Sequence, residues 1–124
     1  HDALPICFAA KGDANGFFEV NQEFHAALQT LSGNRWLKQV IDDLRKVLKL
    51  TRRDSLRLEG RLKQSLEEHR HILAAIRERD ADSAEALMHA HLLSGRAALA
   101  KLQAAALTPG PSPASGRGER IGHA

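Results

Sequence analysis

The chain has 124 residues, 43% of them hydrophobic, with four Phe, one Trp and no Tyr, so one modest core dominated by Ala and Leu is within reach, and helices are favoured over a sandwich or barrel. A single cysteine, Cys7, excludes an internal disulfide and a Cys-based zinc site, and no stretch approaches the roughly 18 uninterrupted apolar residues of a membrane span. The formal charge is only +3 but unevenly spread: ten Lys or Arg lie between Arg35 and Lys63 against Asp42, Asp43, Asp54 and Glu59, a pattern that suits a solvated helix surface or an anionic partner.

Residues 1–14 contain Pro5, Gly12 and Asp13 without a sustained period, and are expected to be a partial or degenerate N-terminal segment. A first helix is predicted from about Asn15 to Ser32, with Phe17, Val20, Phe24, Leu28 and Leu31 on its apolar stripe and Gly33 as its left-handed stop. Asn34 then caps a second helix whose Leu37, Val40, Ile41, Leu44, Val47, Leu48 and Thr51 recur at helical spacing and are expected to face inward. That helix fades in the charged run Arg52, Arg53, Asp54.

A third helix is expected from about Ser55, carrying Leu58, Leu62, Leu66, His69, Leu73 and Ile76 at bundle-seam spacing. Asp80 or Asp82 is placed to cap a fourth that runs to about Ala106, with Ala84, Leu87, Met88, His91, Ala98, Leu99 and Leu102 inward. Short connections between such helices imply antiparallel neighbours, so the expected fold is an all-α antiparallel bundle of about four helices over residues 15–106. Residues 107–124, "LTPGPSPASGRGERIGHA", hold three of the four prolines and are expected to be a disordered tail.

Helical phase sorts the histidines. His69 falls with Leu62, Leu66, Leu73 and Ile76, whereas His71 lies about 200° further round. His91 falls with Leu87 and Leu99, whereas His89 points away. His25 shares a face with Asn21, one turn earlier, beside Phe24 and Leu28. One histidine on an apolar face is more often a hydrogen-bonded core residue than a ligand, but three on three inner faces form a natural nitrogen donor set. With an oxygen from Asn21 they suit a borderline divalent ion such as Zn²⁺, Ni²⁺, Co²⁺ or Mn²⁺, and match Ca²⁺ or Mg²⁺ poorly.

The stretches "NQEFHAALQTLSGN" and "EHRHILAAIRERDADSAEALMHAHL" resemble the effector-binding (FCD) domain of GntR-type transcriptional regulators of the FadR group, over about residues 12 to 104. The resemblance implies a helical bundle that holds a divalent metal (Zn, Ni or Mn) on Asn21, His25, His69 and His91, beside a pocket for a small organic acid effector. It also implies a homodimer that reaches DNA only through a winged helix-turn-helix domain, and the single cysteine with no membrane span or leader pattern makes the cytoplasm the expected compartment. This chain departs from the family pattern in two ways. Asn21 stands where an aspartate is more usual, and the DNA-reading domain and first effector-domain helices are expected to be missing, in keeping with a first residue that is His rather than Met.

Arg45 and Arg52 lie on the helix expected to face the site and are candidates to pair with the effector carboxylate. An enzyme is not expected. A di-iron bundle needs Glu-x-x-His on two helices, and only Glu68 with His71 has that spacing, His71 facing outward. A hydrolase needs a general base, and no inward Glu or Asp stands out. The alternatives to a sensing domain are thus a helical-bundle metalloenzyme and a structural interaction module with core histidines.

Overall fold

The computed structural model describes residues 11–110; the expectations for residues 1–10 and for most of the 107–124 tail lie outside them. Five helices and no strand occur among the described residues: α1 (Ala14–Leu31), α2 (Arg35–Val47), α3 (Lys49–Ser55), α4 (Arg61–Arg77) and α5 (Ala81–Leu107). The all-α bundle is therefore as the sequence predicted. None of these helices is long and apolar enough to cross a membrane.

Three of the helices start on a side chain that caps them. The Asp13 carboxylate accepts from the Gly16 amide at 2.9 Å, the Asn34 side chain from Leu37 at 3.0 Å and Asp80 from Ser83 at 3.1 Å, each satisfying one orphan amide of a first turn. Gly33, at φ 68°, takes the left-handed conformation that stops α1 without a Cβ penalty.

α4 and α5 run antiparallel: Gln64 meets Ser94 and, one turn on, Glu68 meets His91, so rising numbers on one helix face falling numbers on the other. α3 packs against α5, and α1 lies against α2 and α3. Phe17 and Phe18 of α1, Leu56 of the turn after α3 and Leu62 of α4 form the buried apolar cluster, with Ala14 and Leu66 against it. Each such side chain contributes about 1.5–3 kcal/mol on burial.

Several boundaries and faces differ from expectation. The predicted second helix divides at Leu48, whose backbone (φ −91°, ψ 2°) leaves the helical region. The third helix starts at Arg61, because residues 56–60 form a turn that ends on left-handed Gly60. On α4 the buried positions are Arg61, Leu62, Ser65, His69, Ile72 and Ala75: Leu62 and His69 lie on the predicted stripe, whereas Ser65, Ile72 and Ala75 each sit one position before a predicted member, and Ile76 is exposed. Leu31, the last residue of α1, is exposed as well.

The largest difference is in α2. Its apolar stripe, Leu37, Val40, Leu44, Val47 and Leu48, faces solvent, and so does Trp36, while Lys38, Ile41, Asp42 and Arg45 turn inward. The reason is partnership. α2 packs mainly against α1 and α3, its contact with α1 is built around Arg45 donating to Gln22, and no helix among the described residues covers the other side.

Candidate metal and effector site

His25 on α1, His69 on α4 and His91 on α5 are all buried, at 4%, 6% and 4% exposure. Their ligand nitrogens converge, no pair lying more than 4.8 Å apart. His91 Nε2 is 3.3 Å from His69 Nε2 and 3.3 Å from His25 Nε2. An ion with metal–nitrogen bonds of about 2.0–2.1 Å at angles between tetrahedral and right-angled holds its nitrogens about 2.9–3.4 Å apart, so these two separations fit a shared ion. His71 and His89, predicted to point away, are exposed.

Hydrogen bonding fixes the tautomer of His91. Its Nδ1 lies 2.5 Å from Glu68 Oε2, and a carboxylate only accepts, so Nδ1 carries the proton and Nε2 presents a lone pair to the cluster. Two imidazoles stand within bonding distance of that one lone pair. It cannot satisfy both in linear hydrogen bonds, but an ion among the three nitrogens can.

Aromatic rings hold the second imidazole. Phe24 stacks on His69 with centroids 4.1 Å apart, and Phe17 lies nearly parallel to it at 6.4 Å. The apolar core thus continues into the site.

The local field keeps the cluster neutral. Burial, followed by the charges of Arg45 and the neighbouring histidines, pushes His25 down to about 2. Burial and then His91 push His69 down to about 3, against the opposing pull of Glu68. His91 is also lowered by burial, although Glu68 resists. At neutral pH all three imidazoles therefore carry free ligand electrons and no competing proton.

A cavity of about 250 Å³ adjoins the cluster, lined among others by His91, Asn21, Arg52, Ser55, Arg61 and Ser65, with Leu92 and Leu99 as apolar wall. Asn21 is buried one turn before His25 and lines this cavity together with His91. Arg52 lies in it too. Arg45 does not: it is buried against Gln22 and lines a separate cavity of about 320 Å³ between α1 and α2, and it reaches the site through its charge on His25 and, more weakly, His69. Burial and then Arg52 draw Arg45 down to about 10.

The sequence reading missed Glu68, Arg61 and Ser94. No inward acid stood out in the sequence, yet Glu68, half-buried at the edge of its helix, contacts His91 and Arg61. Glu68 sits about 100° from His69 on the helix, so it points along the seam with α5 instead of into the core. The available signal was spacing: Arg61 and Glu68 are seven residues apart, two turns on one face.

The FCD domain, the effector-binding domain of GntR-family regulators, matches residues 6–94. The chain belongs to the FCD-domain family. No curated protein matches, and no solved structure does. The matched region of this FCD domain takes in all three histidines, Asn21, Glu68 and two of the three cavity arginines, Arg52 and Arg61. It also accounts for the helical bundle. Three buried histidines of an FCD domain can hold a metal ion.

Proposed function

We propose that this FCD domain is the ligand-sensing part of a GntR/FadR-type transcriptional regulator, in which His25, His69, His91 and Asn21 hold a divalent transition ion (Zn²⁺, Ni²⁺ or Mn²⁺) and a small organic acid binds beside it. The observation that carries this reading is the convergence of three neutral imidazoles, one of which, His91, lines a cavity that also presents Arg52 and Arg61. A bound ion supplies positive charge and open coordination positions. The chain's own residues do the rest. Arg52 and Arg61 attract the acid's carboxylate, Ser55 and Ser65 offer hydroxyls, and Leu92 and Leu99 meet its carbon body.

Acid binding regulates only if it favours one arrangement of the bundle over another. α3 carries Arg52 and Ser55 and meets α2 at the break at Leu48, so it is the element placed to shift when the cavity fills. In the intact regulator, a cytoplasmic homodimer on this reading, that shift passes to a winged helix-turn-helix domain elsewhere in the protein, which alone contacts DNA. Catalysis has less support: the cavity lining contains no carboxylate, and Glu68 is engaged by His91 and Arg61.

Calorimetry tests the proposal. Three neutral histidines and Asn21 leave the ion's charge uncompensated in a buried site, which is costly. Small mono- and dicarboxylic acids should therefore bind the metal-loaded chain at least about tenfold more tightly than the chelator-treated chain, a difference of about 1.4 kcal/mol. Asn21→Asp should tighten the metal and weaken the acid. Equal acid affinity with and without metal would leave a structural cluster and defeat the sensing role.

A further inference from the structure

Arg61 stands at the junction of the two halves of the site. It opens α4 directly after Gly60, its side chain is only 7% exposed, and it lines the cavity. Its Nη1 lies 3.3 and 3.4 Å from the Glu68 carboxylate oxygens and 3.2 Å from Gln64 Oε1. Its Nη2 points towards Gly95 of α5, where an added Cβ would sit 3.7 Å away, and Gly95 lines the same cavity. The guanidinium is thus divided between a carboxylate, held at long distance, and the cavity.

Glu68 has the opposite partners. Its Oε2 accepts a hydrogen bond from the His91 Nδ1–H at 2.5 Å, far closer than it lies to Arg61. Against burial, Ser94 of α5 helps hold this carboxylate below its ordinary range. A carboxylate behind a ligand imidazole makes the far nitrogen a better donor, and a cation behind the carboxylate takes part of that effect back. The three groups form a chain with the metal-facing nitrogen at one end and the cavity at the other.

We propose that Glu68 is a positioning residue that fixes His91 with its Nε2 lone pair on the cluster, and that Arg61 restrains Glu68, so that the two members of this ion pair act on metal affinity in opposite directions. The proposal rests on the metal-site reading above. It goes beyond that reading in giving roles to two residues that are not ligands and in predicting signs that a structural ion pair does not have. A purely structural pair, when either partner is removed, weakens the site both times.

The test uses the full 124-residue chain with Zn²⁺ as probe, competed against a chromogenic chelator. Glu68→Gln should lower Zn²⁺ affinity about tenfold and Glu68→Ala up to about a hundredfold. Arg61→Gln and Arg61→Met, the second of which keeps an apolar stem, should raise it about threefold or more, because they remove a nearby cation and free the carboxylate. Nitrogen-15 spectra of the metal-free chain supply a readout that needs no metal. His91 should be the Nδ1–H tautomer in the wild type and Arg61→Gln, and should become mixed in Glu68→Ala. Weakening by both the Glu68 and Arg61 variants, unchanged affinity in Glu68→Ala, or an unchanged His91 tautomer in Glu68→Ala would each overturn the proposal. A wild-type chain that takes up no Zn²⁺ defeats the metal-site reading instead, and the tautomer comparison still decides the role of Glu68.

Discussion

His69 and His71 differ by two positions and share almost nothing else. One is buried under Phe24 and within 3.3 Å of His91, and the other is exposed. The same holds for His91 and His89. Substituting alanine at His69 or His91 should abolish metal uptake or weaken it at least about a hundredfold, since each removes a proposed ligand, whereas His71→Ala and His89→Ala should change it less than about twofold. Equal losses across the four, read by elemental analysis after dialysis, would refute the ligand assignment. These phases were legible because Leu neighbours mark the helix face on which each histidine lies. Glu68 and Arg61 were not legible, since a charged residue at the edge of a helix face has the same sequence signature whether it meets water or a partner across a seam.

At the level of elements, the chain punctuates most of its helices with side chains that can be read directly. Asp13, Asn34 and Asp80 each cap a helix, and Gly33 ends the one that Asp13 starts. Asn34 has the clearest consequence for the site, because α2, which it starts, brings Arg45 against Gln22, one residue beyond Asn21. Asn34→Ala should cost about 1 kcal/mol in urea denaturation and Asn34→Ser little; an Ala variant as stable as the wild type would show that the cap bond contributes nothing. The division at Leu48 carried no such mark. Neither Gly nor Pro lies between Arg35 and Glu59, so the break comes from how α2 and α3 lie on different neighbours, a tertiary demand that local propensity does not encode.

In the whole molecule, hydrophobic pattern and burial part company. The stripe on α2 was the strongest amphipathic signal in the sequence, yet Val47 is 83% exposed and Trp36 70%. The interior instead receives Asn21, His25, Arg45, Ser55, Arg61, Ser65, His69 and His91 beside a small apolar cluster. Periodicity tells which residues share a face and is silent on which face finds a neighbour, so the bundle could be predicted while the direction of α2 could not. The polar interior, by contrast, was foreshadowed by the histidine phases.

That interior makes unfolding a proton-consuming event. In the unfolded chain the three imidazoles take up protons near pH 6.5, whereas in the folded chain His25 and His69 hold out to about 2 and 3 and His91 is lowered as well. Because the unfolded state binds more protons between these limits, stability is complete above about pH 6.5 and falls steadily as the solution is acidified through it, levelling only near the folded values. For the chelator-treated chain, urea midpoints at pH 7.5 and 5.5 should differ by a loss on the order of 1 kcal/mol per histidine. Stability that is flat across this window would mean that the folded cluster accepts protons as readily as the open chain. The expected decline makes the domain acid-labile by construction, and the groups responsible are the same nitrogens that are poised to grip a metal.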